Sequence, residues 1–206
     1  MAEIDYYFTS ASPWVYLGHK LLCDIATRHG ATINVKPVNL LGVWAISGGV
    51  APANRPPVRQ RYRIIELQRY AEMRSLPIKL HLDHFPLDPA LADHVVAALV
   101  DAGADPLPFM QRLFAAYRAG DRDIANVEVL AKLLEESGHD SATTIKNASD
   151  PRIIAIREQN TADAIAADAI GVPVYVLNGE PFWGQDRLEM LDRALTIGRQ
   201  PYSPDA

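Results

Sequence analysis

Cysteine is nearly missing from this chain: Cys23 is the only one in 206 residues. That excludes a disulfide-stapled secreted scaffold, and one thiol cannot make a Cys-x-x-Cys redox pair. Long apolar runs are also missing. The densest, Val95 to Val100, falls far short of the roughly 18 residues a membrane span needs. Positive charge is not in excess: 20 basic against 25 acidic residues give a net charge of −5, which argues against nucleic acid as the main partner. Glycine-rich phosphate loops are absent, since Gly48-Gly49 stands outside any Walker or dinucleotide-binding context. There is no internal repeat and no low-complexity tract. The first residues, Met-Ala-Glu-Ile-Asp, are acidic where a signal peptide is basic, so a cytoplasmic location is expected.

What is present is enough for a core. The chain is 49% hydrophobic and 22% charged, the composition of one globular domain or one domain carrying a large insertion. It opens as a strand, with Ile4, Tyr6 and Phe8 alternating with Asp5, Tyr7 and Thr9. Ser12 and Pro13 then read as the N-cap and first residue of a helix running to His29, and Gly30 closes it. Thr32 to Val38 is a second strand. The order β-α-β predicts parallel pairing through a right-handed crossover. The glycines and prolines of 42–56 predict a long loop. Helices are expected at 58–74, 90–102, 106–118, 127–137 and 151–169, the last capped by Asp150. Val174–Leu177 and Pro181–Trp183 flank Asn178-Gly179, a type I′ hairpin signal. A last helix over 187–197 precedes a loose tail, 199–206.

The order βαβ, helices, αββα is thioredoxin-like, with a helical block inserted. The fold class expected is α/β. The discontinuous thioredoxin-like part spans 1–41 and 159–198, and the helical insertion spans 42–158. In this order the site lies where the first strand meets its helix, at Ser10-Ala11-Ser12-Pro13. A helix N-terminus favours anions, thiolates included. No cysteine stands there, so thiol–disulfide exchange, which needs an attacking protein thiolate, is not expected. The Ser12 hydroxyl is suited to donating a hydrogen bond to a thiolate held by another molecule. A plain N-cap is the simpler reading of Ser12. Val172-Pro173 suggests a cis-proline whose preceding backbone pairs with an extended peptide, or a trans proline that merely starts a strand. Asp186 sits where a carboxylate and exposed amides would hold an amino-acid head group, or where it simply caps a helix. The segment from Arg55 to Lys79 carries a net +5. It is either an anion-steering surface or a solvated helix face with pairs such as Arg63–Glu66. His81 and His84 share an HxxH spacing, but no metal site is expected without further ligands in a defined frame.

Together these segments resemble the 2-hydroxychromene-2-carboxylate isomerase family, glutathione-dependent relatives of DsbA and of kappa-class glutathione transferases. The resemblance covers nearly the whole chain. It rests on Asp5-Tyr6-Tyr7-Phe8, Ser12-Pro13-Trp14, Pro52-Ala53-Asn54-Arg55, Glu66-Leu67-Gln68-Arg69-Tyr70, Gly171-Val172-Pro173 and Phe182-Trp183-Gly184-Gln185-Asp186-Arg187-Leu188. It implies glutathione as cofactor and Ser12 as the catalytic residue on its sulfur. It implies backbone pairing at Val172 and Pro173, and a γ-glutamyl site at Trp183, Gln185, Asp186 and Arg187. Asn54 and Arg55 would contact an aromatic carboxylate substrate, with Trp44 and His84 near it. Trp44 stands where family members carry a basic contact, and the stretch His81 to Pro89 replaces one that supplies a tyrosine. The resemblance further implies a homodimer and a cis-trans isomerisation by reversible thiolate addition, bond rotation and elimination. A kappa-type transferase and a glutathione-binding module without turnover are the alternatives.

Overall fold

The computed structural model describes residues 1–204. Four strands form one sheet in the order β2-β1-β3-β4: β1 Glu3–Phe8, β2 Thr32–Pro37, β3 Val174–Leu177 and β4 Glu180–Trp183. β1 and β2 are parallel, while β3 runs antiparallel to both of its neighbours. Between β1 and β2 lies α1, Pro13–His29, and after β2 come α2 Leu40–Ser47, α3 Pro57–Arg74, α4 Ala90–Asp101 and α5 Leu107–Arg118. Then follow α6 Val127–Glu136, α7 Ser141–Ala148, α8 Pro151–Ala166 and, after β4, α9 Leu188–Ile197.

Strand alternation sends Ile4, Tyr6 and Phe8 into the core, all fully buried. Tyr6 stacks on Phe8 at 5.1 Å, on Tyr175 at 5.4 Å and on His19 of α1 at 6.0 Å. On the other face Asp5 and Lys36 pair at 2.9 Å, and Lys36 reaches Asp163 of α8 at 3.9 Å. The hairpin forms as its sequence dictates, with Asn178 at φ 52° and Gly179 at φ 85°, the left-handed conformations a type I′ turn requires.

The register sets where a site can form. Phe8 lies beside Pro37, Tyr7 beside Val174 and Val174 beside Trp183. Consequently the exits of β1, β2 and β4 and the entry to β3 share one edge of the sheet. Four segments converge there: Thr9–Ser12, Val38–Trp44, Gly171–Pro173 and Gly184–Arg187. Open α/β sheets bind ligands beyond such strand ends.

Several expectations need correcting. The expected loop over 42–56 contains α2 and a 3₁₀ turn, Pro52–Asn54. Asn39 caps α2 by accepting from the Leu41 amide at 3.2 Å, and Gly48 ends it at φ 76°. Gly42 is no breaker: a Cβ there would come within 3.2 Å of Thr161 Cγ2, so its smallness serves close packing on α8. Helix α7 has little sequence signal, because Ser-Ala-Thr-Thr-Ile-Lys-Asn-Ala carries almost no apolar stripe. Its start rests on Asp140, which accepts from Thr143 N at 3.0 Å. The boundary expected at 158/159 falls inside α8. The tail is held down through Tyr202: Arg199 makes a two-pronged pair with Glu180 at 2.6 and 2.7 Å, and Tyr202 N donates to Glu180 at 3.1 Å. Residues 205 and 206 of that tail lie outside the described residues.

Candidate active site

A cleft of about 560 Å³ opens at the shared sheet edge, within the range of small-molecule sites. Its sheet-side wall contains Gly171, Val172, Trp183 and Gly184–Arg187, and its helical wall contains Trp44, Arg55 and the α3 residues Arg59, Arg63, Glu66 and Tyr70. Trp14, the second residue of α1, also lines it and meets Tyr70 edge-on at 6.2 Å.

Ser12 is the N-cap of α1, with its Oγ accepting from Val15 N at 3.4 Å. That contact occupies one oxygen lone pair and leaves the hydroxyl proton free to donate. Capping and catalysis are therefore compatible at this residue. No acidic side chain stands in the first turn of α1, so nothing there offsets the positive end of the helix. The approach to Ser12 is fixed from beneath by Asp93 of α4, which is fully buried. Asp93 accepts from Thr9 Oγ1 at 2.8 Å, Ser10 N at 2.8 Å and Ser10 Oγ at 2.6 Å, and pairs with Arg157 at 3.1 Å. Burial pushes its carboxyl upward, against the opposing pull of Arg157 and Ser10. Sequence reading gave no signal for Asp93, which meets residues more than eighty positions away.

The Val172–Pro173 bond is cis. The Pro173 carbonyl accepts from Gly184 N at 2.8 Å, whereas neither the Val172 amide nor its carbonyl has a hydrogen bond among the described residues. An unused backbone pair beside a sheet edge suits an added extended peptide. Above it, a Cβ on Gly171 would lie 3.1 Å from Trp183 Nε1 and 3.4 Å from Trp44 Nε1. Two indoles thus meet over one glycine. Trp44 reaches this place because α2 is pinned twice: Asn39 N donates to Thr161 Oγ1 at 2.9 Å and Ser47 Oγ to Ile170 O at 2.9 Å.

Asp186 lies in a 3₁₀ turn, Gln185–Arg187, rather than at the start of an α-helix. It pairs with Arg187 at 2.7 Å. Gln185 is 1% exposed, and its Oε1 accepts from Arg74 at 3.2 Å. That side chain braces the turn against α3. Arg55 donates to Val50 O at 2.7 Å and sits 5.9 Å over the Trp44 ring. Burial, then the charge of Arg59, lowers its pKa.

Two predicted substrate-side residues lie elsewhere. Asn54 is exposed and outside the cleft lining. His84 is exposed on a loop held by Asp121, which accepts from Asp83 N at 3.0 Å, while Tyr117 OH donates to His84 O at 3.2 Å. The Arg63–Glu66 pair expected on a solvated face does not form. Glu66 pairs with Arg69 at 2.6 Å instead, and Arg63 turns into the cleft. Burial of Cys23 pushes its thiol up to about 11, so it stays protonated and poorly nucleophilic at neutral pH.

A second cavity, of about 460 Å³, lies behind Trp183 and Arg187 between β4 and α9. It lacks Gly171, Val172 and the α1 residue Trp14 that line the first cleft, and Ser12, which is buried, lines neither cavity.

Strand order, cis-proline edge and the helix inserted after β2 define a thioredoxin-fold protein of the DsbA type. Residues 3–196 match the DSBA-like thioredoxin domain family, and the chain belongs to it. It is 29% identical over 194 residues to the 2-hydroxychromene-2-carboxylate isomerase of Pseudomonas sp. (strain C18), covering 93% of this chain and 89% of that protein. It is 22% identical to glutathione S-transferase kappa 1 of Rattus norvegicus, covering 98% and 93%. The solved structure of a 2-hydroxychromene-2-carboxylate isomerase superposes with a TM-score of 0.82 at 24% identity over 95% of each chain. Among the described residues, no helix is long and apolar enough to cross a membrane.

Proposed function

We propose that this protein is a glutathione-dependent isomerase of a conjugated aromatic 2-oxo or 2-hydroxy carboxylate, of the 2-hydroxychromene-2-carboxylate type. One observation carries the reading. At the end of α1, where a DsbA-type redox enzyme needs a thiol, this chain presents a serine hydroxyl whose proton is free. The residues around it fit glutathione. The unused Val172 backbone would pair with the cysteinyl unit, and the Trp183–Arg187 turn, with Asp186 in the cleft, would hold the γ-glutamyl end.

When bound, glutathione would supply a thiolate that adds to the conjugated double bond, allows rotation and leaves again unchanged. The protein's part is to favour the thiolate. A thiol of pKa near 8.5 is about 3% ionised at neutral pH. Lowering it by about two units raises that to roughly 75% and requires about 2.7 kcal/mol. A charge-assisted hydrogen bond from Ser12, worth roughly 1.5–3 kcal/mol, together with the helix end, is sufficient. Arg55, which lines the cleft and uses only its Nε on Val50 O, would hold the substrate carboxylate, and Trp44 and Trp183 would flank an aromatic ring.

The test is an ultraviolet assay with 2-hydroxychromene-2-carboxylate, with and without glutathione, on wild type and Ser12→Ala. Glutathione-dependent conversion that is lost in Ser12→Ala supports the proposal. Product retaining the sulfur converts the reading to a kappa-type transferase. Glutathione binding by calorimetry with no turnover of this substrate contradicts the substrate assignment.

A further inference from the structure

Four arginines converge on the helical wall of the cleft without acids to match them. Arg55, Arg59 and Arg63 line it. Arg118, the last residue of α5, stands behind Arg63 and is 2% exposed. The two acids that line the cleft are already engaged, Glu66 by Arg69 and Asp186 by Arg187. Asp121, whose charge reaches Arg118, is taken up by Lys79 Nζ and the Asp83 amide. Among the described residues none of the four arginines has a carboxylate partner. The Arg118 Nε has no hydrogen-bond partner, and the side chain's polar contact is with its neighbour Tyr117. Burial, then the charges of Arg118 and Arg55, pushes Arg63 down to about 10.

Buried cations are normally paired, because desolvation is repaid only by a counter-charge and hydrogen bonds. A half-buried guanidinium lining a cleft, Arg63, with the buried Arg118 behind it, is a deficit of counter-charge that a ligand can fill. Their place separates them from the proposed γ-glutamyl site. Arg74 of α3 touches Gln185, and Arg63 lies eleven residues earlier on the same helix, or about 16 Å along its axis. Arg59 lies one helical turn (about 6 Å) before Arg63 on α3, and the charge of Arg55 reaches Arg63 as well, so the three form one cationic run along the helical wall. Arg118 in turn reaches α1, where its charge acts on Tyr16, one turn beyond Ser12.

We infer that the cleft takes a ligand with two anionic groups, the first held at Arg55 and Arg59 and the second, a carboxylate or its equivalent, held by Arg63 with Arg118 behind it. This deepens the proposed function by naming the substrate as an unsaturated dianion; the binding itself stands without the isomerase reading. The relatives' name specifies one carboxylate, which Arg55 alone would serve. A planar anion accepts two parallel N–H bonds from one guanidinium, a geometry lysine does not offer.

Calorimetry with trans-cinnamate and with 3- and 4-carboxycinnamate, on wild type, Arg63→Met, Arg63→Lys and Arg112→Met, tests the inference, with circular dichroism to check folding. Arg112 is exposed on α5, so its variant removes one charge outside the cleft. Wild type is expected to bind one dicarboxylate at least about tenfold more tightly than cinnamate. That ratio should fall to near one in Arg63→Met, be partly kept in Arg63→Lys and be unchanged in Arg112→Met. Equal affinities in wild type overturn the inference. So does a preference that survives in Arg63→Met, or one lost equally in Arg112→Met. Should Arg63→Met not fold, Arg63→Lys decides by the same ratio. Glutathione affinity is measured in parallel. Its absence alongside the dicarboxylate preference would sink the cofactor reading and leave this inference standing. A fall in glutathione affinity in Arg63→Met with the ratio intact would assign the arginine to the cofactor and overturn the inference.

Discussion

The two walls of the cleft are built differently. The sheet-side wall is built on short backbone segments, Gly171–Val172 and the turn after Trp183, with Ser12 buried outside the lining at the start of α1, two residues before Trp14, which does line the cleft. Its supports are buried and joined by hydrogen bonds, with Asp93 beneath Ser10 and Pro173 O holding Gly184. The helical wall is made of side chains projecting from α2, α3 and the segment between them. Among the described residues its Arg55, Arg59 and Arg63 have no carboxylate partner, and its Tyr62 and Val58 are more than half exposed. A wall of fixed backbone suits one constant ligand, such as the peptide cofactor proposed above. A wall of long side chains can change its substrate by substitution without disturbing the sheet.

If that contrast is right, damage to the supports of the first wall should cost stability, and damage to the second should cost substrate binding. The largest effect is expected from Asp93→Ala, which leaves Arg157, Thr9 and Ser10 without their shared acceptor. Losing one partner of a buried pair costs about 3–5 kcal/mol, to be read from urea unfolding midpoints. A loss under 1 kcal/mol, roughly the size of a surface change, would break the contrast.

Next comes acid sensitivity on the sheet-side. His19 is 1% exposed beneath Tyr6, with Nε2 3.2 Å from Leu107 O and Nδ1 unpartnered. Burial lowers its pKa from 6.5 to about 4. The unfolded chain therefore takes up the proton at higher pH than the folded one. Stability present above pH 6.5 is lost as pH falls toward 4, by up to about 3 kcal/mol. His19→Gln keeps a donor for Leu107 O and should flatten that part of the profile. An unchanged profile would show that other groups set it.

Smaller again is the expected effect of Arg55→Ala on the helical wall. It should raise KM for the carboxylate substrate about tenfold, the worth of a charge-assisted bond, and leave glutathione binding intact. Weaker glutathione binding with an unchanged substrate KM would place Arg55 on the wrong wall.

The same contrast governed what was legible in the sequence. The sheet-side wall is written in local signals: alternation in β1, Ser12-Pro13 at a helix start, Asn178-Gly179 at a hairpin, a proline before β3. Each is decided by its neighbours in the chain, and the strand order followed from them. The helical wall depends on distant pairings. Trp44 reads as part of a glycine-rich loop until Thr161 and Ile170 pin α2 in place. Arg63 reads as half of a surface ion pair until Glu66 turns to Arg69. Arg118 and Asp93 carry no motif at all. His84 and Asn54 rest on family resemblance alone, and both lie outside the cleft lining, His84 on the loop held by Asp121.

The account stands or falls on Ser12 as donor to a thiolate. The decisive measurement is an ultraviolet titration of thiolate absorbance for glutathione bound to wild type and to Ser12→Ala. The account predicts a bound thiol about two units below the free value of roughly 8.5 in wild type, returning most of the way in Ser12→Ala while glutathione still binds. The same pKa in both proteins would contradict it and leave Ser12 a helix cap.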